Sequence, residues 1–184
     1  MPLSLSKHFR CQLLSSLCLL ALTGCGYQRP DGRWIQLDAS SIQLATVQLD
    51  TEAIDPNYAA TCEEARDEIY RQLLKKLPEK IAPLTLAAGE VSTEKNADTA
   101  ALEIRITGCE IDVDQSGGTF SYYLTLPVKV KLTLNEKNLL NYEMDTYEQI
   151  SVSTPGPEFE FTFAEPVART LLLFDGKRLW LPAD

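Results

Sequence analysis

Histidine is almost missing from this chain. His8 is the one example, and it stands among the first ten residues. Ser-His-Asp and Cys-His nucleophiles and imidazole metal sites are therefore excluded from everything downstream. Positive charge is also scarce, with 17 Lys and Arg against 26 Asp and Glu and a net charge of −9. Such a surface repels phosphate backbones, so nucleic acid is not expected as a partner. No Gly-rich phosphate loop and no nucleophile elbow occur. Nor is there a long apolar run. Residues 11–22, about a dozen, fall short of the ~20 a spanning helix needs. These absences point away from an enzyme and from any cofactor. What remains is a chain of 184 residues, 45% hydrophobic, which suits one globular domain and is too apolar for disorder.

The first 24 residues have a different organisation. Lys7, His8 and Arg10 precede the apolar stretch, and small residues close it. A charged start, a short apolar centre and a small-residue end make a secretory signal peptide. The closing tetrad, Leu22-Thr23-Gly24-Cys25, resembles the lipobox of bacterial lipoproteins. That resemblance implies diacylglycerol on the Cys25 thiol, cleavage before Cys25 and acylation of the new amine. Gly26, rather than Asp, resembles the outer-membrane pattern. Several acyl chains, at ~0.8 kcal/mol per buried CH₂, would hold the protein on a membrane for good.

Cleavage there removes 24 residues and leaves 160, with 15 basic and 26 acidic side chains, net −11. Cys11 and Cys18 leave with the signal and Cys25 takes the lipid. Cys62 and Cys109 remain. An oxidising compartment favours their pairing as a disulfide; the alternative is two separately buried thiols.

Residues 25–40, with Pro30, Asp31 and Gly32, read as a lipidated tether, and residues 41–184 as a single domain. Residues 42–49 alternate like a strand. Asp55 can cap a helix over 55–77, with Pro56 at its first position and Pro78 stopping it. Its stripe of Cys62, Ala65, Ile69, Leu73 and Leu77 predicts one buried face. Leu84 and Leu86 suggest a short strand, followed by a polar loop over 92–99. Residues 102–113 read as a strand whose apolar parity slips at Thr107–Gly108, the mark of a β-bulge.

Residues 120–134 alternate strictly, from Phe120 and Tyr122 to Leu132 and Leu134. Pro127 within them suggests an edge or a bend. Turns at 116–119 and 135–138 and a third strand over 140–152 complete an antiparallel meander. After a break at 154–157, residues 165–174 predict a short helix with Pro166 near its start. Gly176 is its expected cap and a tail follows. The expected class is α+β, an antiparallel meander sheet with helices packed on one face.

Three constellations have residue types that could carry chemistry. Asp112, Asp114, Ser116 and Gly117 match half a calcium loop, but Tyr123 stands where the bidentate carboxylate belongs, so a polar hairpin turn is expected and no metal. Glu158 and Glu160 are neighbouring acids on an extended piece, as acid/base pairs require, though a solvated acidic edge has the same pattern. Lys129 and Lys131 lie on the wet face of the longest predicted strand. They either meet a lipid phosphate or an acidic partner, or guard an edge strand, and the guard role is the expected one.

Cys25-Gly26-Tyr27, together with the order strand, helix, meander, helix, resembles the LPS-assembly lipoprotein family LptE. The segment Ala97-Asp98-Thr99-Ala100-Ala101-Leu102-Glu103-Ile104-Arg105-Ile106-Thr107-Gly108 is similar to the lead-in to that family's second strand. The resemblance implies a lipid-anchored α+β plug in the LptD outer-membrane barrel, facing the periplasm and assisting lipopolysaccharide delivery. An auxiliary lipoprotein of an ABC-type lipid transport system shares much of this layout, as does a structural lipoprotein of another envelope complex.

Overall fold

Strict alternation over sixteen residues builds the spine of the sheet, strand β7 (Thr119–Leu134). The computed structural model describes residues 31–89, 98–152 and 160–183. One side of β7 is occupied in two stretches, by β5 (Thr99–Ile106) against its second half and β6 (Glu110–Ser116) against its first. The other side carries β8 (Lys137–Val152) along its whole length. Both hairpin turns use positive φ, at Gly117 and Gly118 and at Asn135 and Glu136, the backbone hand that suits twisted hairpins.

The slip at Thr107–Gly108 is a bulge. Four steps from Ile106 to Glu110 face three from Val128 to Thr125. The extra residue keeps both apolar sets on one face: Ala100, Leu102, Ile104 and Ile106 before it, Cys109 and Ile111 after it, all buried. It also explains Pro127, which belongs to a central strand and not to an edge. Pro127 lies opposite the bulge, where its carbonyl accepts from Thr107 N at 2.9 Å.

The sheet is not purely a meander. The strand expected over 42–49 is two pieces, β2 (Ser41–Leu44) and β3 (Gln48–Leu49), both parallel to β5. Beside β2 lies β4 (Thr85–Ala88), also parallel. Between them runs helix α1 (Ala59–Ile81), a crossover that packs on the sheet.

Asp55 caps a 3₁₀ turn (Pro56–Tyr58), accepting from Asn57 N at 2.8 Å, and α1 follows. Its buried stripe is the one the spacing predicts, extended to Ile81. Pro78 does not stop the helix. The stripe continues at the same spacing to Ile81, fully buried, and its burial outweighs one missing backbone bond.

Helix α2 (Ala164–Leu171) packs on α1 and on β8. Gly176 does not cap it. With φ +61 it turns β9 (Phe174–Asp175) into β10 (Arg178–Pro182) and donates to Lys80 O at 2.8 Å. The expected tether and tail are therefore partly strand. Residues 32–36 form β1 (Gly32–Gln36), antiparallel to β10, in a second sheet of order β1-β10-β9. Trp34 and Trp180 face each other in register, ring edge to ring face at 5.2 Å, and Arg178 lies over the Trp34 ring.

Candidate functional site

The bulge sets the position of the cross-link. Cys109 turns toward the helix face, and Cys62 sits in the first turn of α1 above it, both fully buried. The two form a disulfide with Cα atoms 6.0 Å apart. The staple joins helix layer to sheet layer. Cys25 lies outside the described residues.

The face of the sheet turned away from α1 carries the lysines singled out from sequence. Because β7 is central, Lys129 and Lys131 guard no edge. Lys129 Nζ lies 2.6 Å from Glu143 Oε1 on β8, and Lys131 Nζ 3.2 Å from Glu103 Oε2 on β5. Arg105, beside Lys129 in register, reaches Gln48 at 2.7 Å and Asp50 at 3.6 Å. Each cation meets a polar or acidic side chain from a neighbouring strand. Exposed pairs of this kind contribute about 0–1 kcal/mol. They link β7 to β8 and to β5, and neither ammonium stands as an isolated charge.

Towards the hairpin tip the same face changes sign. Glu110, Asp112 and Asp114 stand at alternate positions of β6, each exposed, and make no ion pair with another described residue. Tyr123 is 36% exposed and Tyr147 61%. Asp112, Asp114, Ser116 and Gly117 thus lie along a strand and its turn. Among the described residues no three His, Cys, Asp or Glu side chains gather as a metal site. Glu158 lies outside the described residues.

A cleft of about 700 Å³ opens between the two sheets. Gly32, Arg33 and Pro182 form one wall, and Leu139, Leu140 and Tyr142 the other. Sequence reading missed it because one wall comes from segments that look like tether and tail. The signals available were modest: three apolar residues in Leu179-Trp180-Leu181 and the Trp34-Ile35 pair.

Among the described residues no helix is long and apolar enough to cross a membrane. No protein-family model matches the chain, and no curated protein matches it. Several solved structures resemble this chain, three of them as follows. A hypothetical protein of Chlamydia trachomatis is 14% identical, with 65% of this chain and 78% of that one covered, TM-score 0.44. A DUF330 protein of Xanthomonas campestris is 11% identical, covering 78% and 84%, TM-score 0.44. A lipoprotein of Neisseria meningitidis is 14% identical, covering 72% and 96%, TM-score 0.29.

Proposed function

We propose that this chain is a lipid-anchored outer-membrane lipoprotein that acts without catalysis as an envelope-assembly component, working with a β-barrel partner in lipopolysaccharide delivery. One observation carries the reading: Cys25 ends a charged, apolar, small-residue signal, and the two cysteines beyond it are joined to each other. Cys25 is then the sulfur left for a lipid. The disulfide suits an oxidising compartment. From Cys25 to β1 is seven residues, which extended span at most about 25 Å, so the anchor would keep the domain close to the membrane surface.

A scaffold role agrees with the site chemistry. The nucleophile and base arrangements that need imidazole are missing, and the lysines of the sheet face are taken up by carboxylates. Affinity capture of the full chain from detergent-solubilised envelopes tests the reading. Co-purification of a large outer-membrane barrel, with loss of surface lipopolysaccharide on deletion, is the expected result. Recovery of inner-membrane ATPase subunits instead would replace it by the ABC-type transport role. Hydrolysis of a sugar or peptide substrate, lost in Glu158→Gln, would replace it by an enzyme.

A further inference from the structure

The chain treats its sheet edges unequally. On β8, Tyr147 N donates to Glu165 Oε2 at 2.7 Å, and the Asp145 carbonyl accepts from Arg169, so side chains of α2 cover the middle of that edge. The β4 edge is only four residues long. Short or covered edges resist the addition of another strand. The seven-residue β6 has neither protection. Among the described residues it pairs with β7 alone, and its outer side is closed only just before it, by the bridge between Ile54 and Cys109.

Parity identifies the groups on this open side. The Pro127 carbonyl points toward β5 and β6 while that of Leu126 points toward β8, so odd residues of β7 bond toward β6. Their partners in β6 are Glu110, Asp112 and Asp114. Ile111, Val113 and Gln115 therefore direct N–H and C=O outward. Among the described residues nothing bonds to those groups. Val113 is 48% exposed on the apolar face, and the three carboxylates line the wet face.

We infer that β6 receives an added strand from a protein partner, an extended segment with lysine or arginine at alternate positions and apolar residues between them. Backbone groups of Ile111, Val113 and Gln115 supply the ladder. The carboxylates of Glu110, Asp112 and Asp114 meet the cations directly opposite, and Val113 meets the apolar side. Charge selects this occupant over a second copy. A β6–β6 pair would set acid against acid across the new ladder, which is destabilising. The inference rests on the scaffold reading only for there being a protein partner.

A dye-labelled nine-residue peptide alternating lysine and valine, titrated into the full chain in detergent, tests it. The expected result is saturable binding, with hydrogen-exchange protection of the Ile111, Val113 and Gln115 amides. Val113→Pro removes an outward N–H and leaves the β6–β7 ladder intact, and should weaken binding about tenfold or more. The Glu110→Gln, Asp112→Asn, Asp114→Asn triple variant should weaken it similarly. A peptide of the same composition with its lysines clustered should bind about tenfold less tightly. Gln115→Pro, next to the turn, serves if Val113→Pro fails to fold.

No binding to the unaltered chain overturns the proposal. So does equal binding by a folded proline variant or by the clustered peptide, since charge alone would then account for it. A dimer of the chain that Val113→Pro dissolves overturns the choice of occupant. Because the probe is a defined peptide, its failure leaves the envelope reading untouched, and failed capture of a barrel leaves the strand-addition result standing.

Discussion

Glu148 does for α2 what the residue just before the helix does not. The residue before the helix, Phe163, has φ +50 and offers no side-chain cap. Instead the Glu148 carboxylate, arriving from β8, accepts from Thr162 N at 2.5 Å and Phe163 N at 2.8 Å. Negative charge at a helix start is favourable, and charged hydrogen bonds are the stronger kind. Glu148→Ala should therefore lower stability by about 1.5–3 kcal/mol, with Glu148→Gln intermediate, read as a shift of urea midpoint. Glu68 makes a pH-dependent link nearby. Hydrogen bonding from Arg71, then Gln72, holds its carboxyl below the usual range. Gln72 in turn donates to Thr162 O at 2.9 Å. A depressed folded pKa means stabilisation is present above the ordinary carboxylate range and lost as pH falls through the folded value. The melting temperature of Glu68→Ala should fall below wild type at pH 7, and the gap should close in acid. A gap that widens on acidification would contradict that assignment. The capping role of Glu148 does not stand out in the sequence, because Thr162 and Phe163 lie far from it along the chain.

Local pattern made some elements legible and hid others. β7 declares itself because eight apolar residues alternate without a break, and α1 because its stripe recurs at three and four. The bulge was readable from the parity change on either side of Thr107–Gly108. Pro78 misled because a local rule about proline was set against a buried Ile81 whose partners are remote in sequence. β1 and β10 were unreadable as a pair, since five-residue strands gain stability only when each finds the other across the chain. Their dependence on close approach gives a test. A Cβ at Gly32 would come within 2.1 Å of Leu181 O, so Gly32→Ala should part that end of the ladder and weaken the near-ultraviolet signal of Trp34 and Trp180. The Cys62–Cys109 link, closing a separation of 47 residues, should contribute about 4 kcal/mol. The double alanine variant should lose that amount in urea unfolding and become insensitive to reductant, while wild type loses stability when reduced. Of the candidate site, the lysines and acids were legible by position. Their pairing was not, since alternation tells which face a side chain takes and not which strand lies alongside.

At the scale of the molecule the acidic balance, the cross-link and the anchor form one account. A net charge of −9 disfavours phosphate polymers as partners and suits the cationic protein strand proposed at β6. The mixed sheet carries the packed helices, and the second sheet ties β1 to the distant β10. Everything about compartment depends on Cys25. The most direct measurement is incorporation of labelled palmitate into the expressed chain, beside Cys25→Ser, with the intact mass of each. Lipidation at Cys25 requires label on a chain shortened by 24 residues and none on Cys25→Ser. Equal labelling of both chains, or an unlabelled wild type still beginning at Met1, would contradict it.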